Sequence, residues 1–120
     1  MSIAIITGSG GLIGAESVKF FSKKFDRIVG IDNNARQYFF GKTASVKSNI
    51  NFLRREIKNY KHIQIDIRNN NKIENIFKKY NDNIKFILHS AAQPSHDWAA
   101  KEPFTDFSIN ALGTLNILES

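Results

Sequence analysis

The 120-residue chain has no cysteine, which excludes disulfides and thiolate metal sites and fits a reducing compartment, so the cytoplasm is the expected location. No stretch approaches the ~18 consecutive apolar residues of a membrane-spanning helix. The N-terminus, MSIAIITGSG, has no basic region ahead of its apolar run, so no secretory leader is expected. Repeats and low-complexity linkers are missing as well. One domain with one core is the expectation at this length. Apolar residues are plentiful, at 42% with ten phenylalanines, which argues against disorder. The net charge of +6 and pI of 9.7 raise the question of nucleic acid. However, the lysines are dispersed through SKKF, FKKY and NYKH, on expected helix faces and ends. Solvated helix surfaces account for them, and neither a nucleic-acid nor a membrane partner is expected.

The apolar segments alternate between two periods. IAIIT (3–7) is a short continuous run ended by glycines, which predicts a strand buried on both faces and hence a parallel sheet. From Leu12 to Phe25 the residues Val18, Phe21 and Phe25 recur at helical spacing. RIVGID (27–32) predicts a second strand. SNINFLRREIKNY predicts a helix through Ile50, Leu53 and Ile57, and HIQIDI (62–67) a third strand. NKIENIFKKY (71–80) predicts a helix, KFILHSAA (85–92) a fourth strand, and TDFSINALGTLNILES a closing helix with Phe107, Ala111, Leu115 and Leu118 on one face. Strands alternating with helices imply right-handed crossovers. The expected fold class is therefore α/β, a Rossmann-type doubly wound parallel sheet of order 3-2-1-4, truncated to roughly its first four strands. LNILES ends without glycine, proline or a basic last turn, so the fold is expected to continue past Ser120. Residues 1–120 then form an incomplete nucleotide-binding domain whose fourth strand is an exposed edge, with marginal stability and self-association expected.

Between the first strand and first helix lies TGSGGLIG, with glycines at 8, 11 and 14. The alternative G-x-G-x-x-G pattern starting at Gly8 fails, because Ile13 stands where it needs glycine. Gly8 permits a tight turn, Gly11 a close backbone approach to a pyrophosphate, and Gly14 close packing of helix on sheet. The helix-start amides around Leu12 and Ile13 are expected to bind a diphosphate. A glycine triplet alone also describes an ordinary flexible turn, but here it follows a strand and opens a helix. Asp32, followed by Asn33 and Asn34, ends the second strand near the ~20-residue spacing expected for the carboxylate that holds the adenosine ribose. That carboxylate favours NAD over NADP, although Arg36 offers a partner to an extra phosphate. Asp66 and Ile67, ending the third strand, are placed to flank the adenine; Asp66 serves equally well as a cap for the turn into RNNN.

Thr7, the glycine turn, Asp32, Asp66 and the HSAAQ strand end together resemble the extended short-chain dehydrogenase/reductase family. Members with this pattern are NAD-dependent nucleotide-sugar epimerases and dehydratases. DNNARQYFFG, AAQPSHDWAA and FSINALGTLNILE are more specific, and are similar to members that act on CDP-sugars. The resemblance spans essentially the whole chain. It implies NAD as cofactor, a nucleotide-sugar substrate and a homo-oligomer. It further implies that Ala91, Ala92 and Gln93 border the nicotinamide side, that Asn110 belongs to the cofactor site, and that Ser95, His96 and Asp97 face the sugar nucleotide. Loop capping without substrate contact is the alternative for His96 and Asp97. A metal site at His89, His96 and Asp97 is not expected, since His89 belongs to a strand. Ser90 and Ser95 lack the glycines of a nucleophile elbow. The family's chemistry uses a tyrosine and a lysine four residues on. Tyr38 and Lys42 match that spacing, but Gly41 interrupts the helix that would align them, and the resemblance places the segment near the adenosine end. The working pair is expected beyond Ser120, with no catalytic residue in these 120. Two alternatives stand: a dinucleotide-binding module without catalysis, and an enzyme for another nucleotide sugar.

Overall fold

The computed structural model describes residues 1–120. The first apolar run forms β1 (Ile3–Thr7), buried along its whole length. β2 (Arg27–Ile31), β3 (Tyr60–Ile63) and β4 (Ile84–His89) join it in one parallel sheet of order β3-β2-β1-β4, the expected 3-2-1-4 arrangement. In register, Ile5 lies opposite Val29 on one side and Ile87 on the other. Alternation along β1 supplies two cores. Ile3 and Ile5, with Val29 and Ile31, face α4 (Asn70–Tyr80) through Ile73, Ile76 and Phe77. Ala4 and Ile6, with Ile28, face α1 (Leu12–Phe21) and α3 (Lys47–Glu56) through Ala15, Val18 and Leu53. Each fully buried isoleucine contributes roughly 1.5–3 kcal/mol relative to exposure. α4 starts at Asn69, whose side chain accepts the Lys72 amide, and ends with Lys78 and Lys79 at the negative pole of its dipole.

Several boundaries differ from expectation for local reasons. α1 ends at Phe21 instead of Phe25, because the Asn59 side chain donates to the carbonyls of Ser22 and Phe25 and holds the chain in a turn. Phe25 still reaches the core, stacking on Phe86 at 5.8 Å. β3 covers 60–63 instead of 62–67: β2 ends at Ile31, the Asp32 amide makes a last bond to the Ile63 carbonyl, and residues beyond Ile63 run past the sheet. β4 likewise stops at His89 instead of residue 92, because its partner β1 turns away at Gly8. A short helix α2 (Ala35–Phe40), which periodicity does not single out, follows Asn34 in the left-handed conformation (φ 60°) and buries Phe39.

The closing segment differs most. It comprises α5 (His96–Lys101), α6 (Pro103–Phe107), one π-helical turn (Ser108–Leu112) and α7 (Gly113–Glu119). The predicted face is the exposed one: Phe107, Leu115 and Leu118 are 67%, 51% and 75% accessible. Buried instead are Ile109, Gly113, Asn116 and Ile117. Gly113 permits this, since a Cβ there would lie 2.5 Å from Ile67 Cδ1. Asn116 adds a buried hydrogen bond to the Ile67 carbonyl. Close approach at a glycine and one polar bond thus outweigh the greater hydrophobicity of the other face. No helix is long and apolar enough to cross a membrane.

Candidate functional site

A cleft of about 290 Å³ opens at the carboxyl ends of the strands, the edge where open parallel sheets bind ligands. The turn after β1 forms its floor. Gly8 has φ +69°, and a Cβ on it would lie 2.9 Å from the Ala91 amide nitrogen, so only glycine lets the β1 and β4 ends touch. At Gly14 a Cβ would lie 1.9 Å from the Gly8 carbonyl oxygen, which presses α1 onto the turn. Gly11 is less confined, with only that same oxygen at 3.4 Å. Gly10, outside the expected triplet, is a packing glycine: its Cβ would meet Val46 and Ile50 at 2.8–2.9 Å. The amides of Leu12, Ile13 and Gly14 have no partner in the chain and begin a ten-residue helix, so they present donors and the positive dipole end to the cleft.

Asp32 stands half-buried at the end of β2. One carboxylate oxygen accepts the Gly10 amide (2.9 Å) and the other the Asn34 amide (2.7 Å), tying the glycine turn to the turn after β2. Carboxylate oxygens have further lone pairs, so this pinning leaves acceptor capacity toward the cleft. Asp66 caps the following turn by accepting the Arg68 amide and pairs with the Arg68 guanidinium at 2.6 Å. Burial works to raise its pKa, but the hydrogen bonds and charge of Arg68 prevail and hold it below the usual carboxylate value. It also lines the cleft beside Ile67, while the bond it makes to the Arg68 amide is that of a turn cap.

Of the residues expected at a cofactor site, Gly8, Gly11, Leu12, Ile13, Gly14, Asp32, Asn33, Asp66, Ile67, Ala91 and Ala92 line this one cleft. Asn34, Gln93 and Asn110 do not, and each is engaged in holding a loop. Asn34 accepts the Val46 amide and donates to Gln37 and Ser45. Gln93, 4% exposed, binds both backbone groups of Ser95 and donates to Asp106. Asn110, in the π turn, accepts the Gln93 amide (2.8 Å) and donates to the Gln93 carbonyl (3.2 Å). Sequence reasoning missed Val46, Ile65, Pro94 and Ile109, which also line the cleft. Ile109 lies off the apolar face expected of the closing helix, and nothing local in the sequence shows that the π turn carries it to the cleft.

Ser95 is the N-cap of α5, its hydroxyl accepting the Trp98 amide. His96 and Asp97 follow in the first turn with exposed side chains. Trp98 crosses back to donate Nε1–H to the Phe39 carbonyl at 2.6 Å and lies 5.2 Å from the Tyr38 ring, joining α5 to α2. The Tyr38 hydroxyl donates to Glu102, and that bond is the main cause of its raised pKa. Gly41, at φ +89°, ends α2 between Tyr38 and Lys42, so no helix face carries both. No group of three His, Asp or Glu side chains gathers at metal-binding distance.

The sheet order, the glycine turn against β4 and the helices on both faces define a Rossmann-type α/β fold. Comparison with known proteins is more specific. The sequence profile of the GDP-mannose 4,6 dehydratase family matches residues 5–120, and the chain belongs to that family of epimerases and dehydratases. It is 31% identical over 120 residues to a UDP-glucuronate 4-epimerase of Thermodesulfobacterium geofontis, covering 99% of this chain and 35% of the relative. It is 34% identical over 117 residues to the CDP-paratose 2-epimerase of Salmonella typhi, covering 97% and 31%. Its fold is that of a UDP-glucose-4-epimerase from Stenotrophomonas maltophila with bound NAD and formylated UDP-arabinopyranose: TM-score 0.78, 22% identity, 99% of this chain and 33% of the other. The chain spans about a third of the length of the relatives it matches.

Proposed function

We propose that this chain is the NAD-binding part of a nucleotide-sugar epimerase acting at C2 of a CDP-hexose of the CDP-paratose/CDP-tyvelose type. One observation carries the NAD assignment: the cleft gathers three unpartnered helix-start amides, an anchored carboxylate at Asp32 and the Ala91–Ala92 strand end. That set matches the parts of a dinucleotide in order. The amides of Leu12, Ile13 and Gly14 would hold the diphosphate, and Gly8 and Gly11 would let it approach the backbone. Asp32, steadied by two backbone amides, would accept the adenosine ribose hydroxyls, with Asn33 beside it and Asp66 and Ile67 at the adenine. Ala91 and Ala92 would border the nicotinamide. Asn34, Gln93 and Asn110 would act by holding the loops around that site. Bound NAD supplies a hydride acceptor that is restored within each turnover, so an epimerisation has no net redox change. The hydroxyl acid/base lies outside these residues in this reading, in keeping with the misaligned Tyr38 and Lys42.

The CDP-sugar assignment rests on AAQPSHDW and DNNARQYFFG, the segments joined by the Trp98–Phe39 bond. Ser95, His96 and Asp97 stand at the start of α5, on the substrate side in this reading. The similarity to a UDP-glucuronate 4-epimerase over nearly the whole chain supports a second reading, a UDP-hexose as substrate. A homo-oligomer fits the exposed Phe104, Phe107, Leu115 and Leu118, and the lack of cysteine fits the cytoplasm. Product analysis on the full-length protein tests the assignment. Conversion of CDP-paratose and not of UDP-glucuronate or UDP-glucose is expected; turnover of a UDP-sugar alone overturns the CDP assignment. No epimerisation of any of them favours a dinucleotide-binding module without catalysis.

A further inference from the structure

His89 is the last residue of β4 and touches neither the diphosphate amides nor Asp32, yet it joins two anchors of the 90–95 loop. Its Nδ1 lies 2.6 Å from the Thr7 hydroxyl and its Nε2 3.0 Å from the Thr114 hydroxyl of α7. The Thr7 hydroxyl oxygen also accepts the Ala91 amide at 3.2 Å. The Thr114 hydroxyl donates to the Asn110 carbonyl at 2.6 Å, and Asn110 holds both backbone groups of Gln93.

Counting protons fixes the arrangement. A hydroxyl has one proton. Thr114 gives its proton to Asn110, so it accepts from His89, and Nε2 carries the hydrogen. A neutral imidazole then has a bare Nδ1, which takes the Thr7 proton and leaves the Thr7 oxygen free for the Ala91 amide. Every group in the chain Ala91 N–H, Thr7, His89, Thr114, Asn110 is satisfied. A proton added to Nδ1 faces the same Thr7 oxygen, leaves the Thr7 proton without its acceptor and places a charge in a half-buried site. Thr7 and Thr114 are the groups that face His89 from β1 and α7. Burial alone lowers its pKa, and no carboxylate or cation acts on it. The other ionisable side chains near the loop, His96 and Asp97 of α5 and Asp106 of α6, make no contact with the His89 ring.

We propose that His89 is a positioning residue which, in its neutral Nε2–H form, latches the Ala91 and Gln93 anchors together, so that dinucleotide binding weakens on acidification as His89 takes up a proton. This rests on the NAD reading above. The sign follows from geometry and burial together. Because the folded chain favours the neutral ring, the latch is intact above the ordinary histidine value of about 6.5 and is lost as pH falls through the lower folded value.

Two measurements test it. In the ligand-free chain, long-range proton–nitrogen spectra at about pH 7.5 are expected to show Nε2–H with a bare Nδ1. On acidification the Ala91 and Gln93 amide shifts are expected to follow the His89 titration. NAD affinity is expected to weaken on acidification with the midpoint at which the ligand-free spectra show His89 taking up its proton, by at most about tenfold down to pH 5.5, the ceiling that a value below 6.5 sets. His89→Asn, which keeps an acceptor toward Thr7 but loses the Nε2–H donor to Thr114 and does not titrate, is expected to bind NAD more weakly at pH 7.5 and with a flat profile. An Nδ1–H tautomer, amide shifts independent of His89, or an unchanged slope in H89N overturns the proposal. A folded chain that binds no NAD refutes the NAD reading, while the ligand-free spectra still decide the latch.

Discussion

Replacing Asp32 separates its two tasks, because its carboxylate accepts two backbone amides while also facing the cleft. In Asp32→Ala both the Gly10 and Asn34 amides lose their partner. Leaving a buried donor unsatisfied costs about 1–3 kcal/mol, and the half-exposed site places each of these near the lower end, so a loss of about 2 kcal/mol in stability is expected. For a chain of this size that lowers Tm by roughly 8 °C. Asp32→Asn offers one acceptor oxygen in place of two, and its amide group opposes one of the two N–H donors. It is expected to fall between wild type and Asp32→Ala in stability. For binding, loss of a charge-assisted bond to ribose hydroxyls, worth about 1.5–3 kcal/mol, predicts NAD affinity roughly 10- to 150-fold weaker in both variants. Differential scanning calorimetry and NAD titration on the same samples supply the two numbers. Unchanged melting of Asp32→Ala would refute the anchoring role, and unchanged affinity in a folded variant would refute the ribose role.

Further expectations concern other parts of the molecule. Gly14→Ala forces a Cβ to within 1.9 Å of the Gly8 carbonyl, so α1 must shift; loss of at least about 3 kcal/mol or failure to fold is expected by urea denaturation. Trp98→Phe removes the 2.6 Å bond to the Phe39 carbonyl while keeping an aromatic ring; about 1 kcal/mol of destabilisation is expected, with increased proteolysis in residues 35–45. The lowered pKa of Asp66 means that its contribution is present above the ordinary carboxylate value of about 4 and is lost as pH falls through its lower folded value; Asp66→Asn is expected to flatten that part of an acid-denaturation curve. Leu115→Ser with Leu118→Ser is expected to reduce self-association by light scattering without lowering Tm, since both side chains are exposed.

How far the sequence could be read depended on the range of the interaction. The strand IAIIT and the turn TGSGGLIG are local features whose apolar run and glycines specify them without reference to distant residues. The strand order followed from the alternation of elements and the handedness of crossovers. Interactions between distant segments were not legible. The end of β3 is set by the length of β2, and the end of α1 by Asn59 from the other side of a helix. The buried face of α7 is chosen by a π turn and the contact of Gly113 with Ile67, against the hydrophobic pattern. At the cleft, residue type indicated Asp32 and the glycines correctly as neighbours, but Asn34, Gln93 and Asn110 proved to be bound to backbone groups within the chain. A polar residue near a site has the same letter whether it faces the cleft or holds the loop beside it.

The central claim is that the unpartnered amides at the start of α1 receive the diphosphate of a dinucleotide. Amide chemical-shift mapping with NAD tests it most directly. Adding NAD is expected to move the amides of Leu12, Ile13 and Gly14 most, with Asn33, Ile67 and Ala91 following and α4 unaffected. Unmoved amides at Leu12–Gly14 in a folded chain, with the largest shifts elsewhere, would contradict the account.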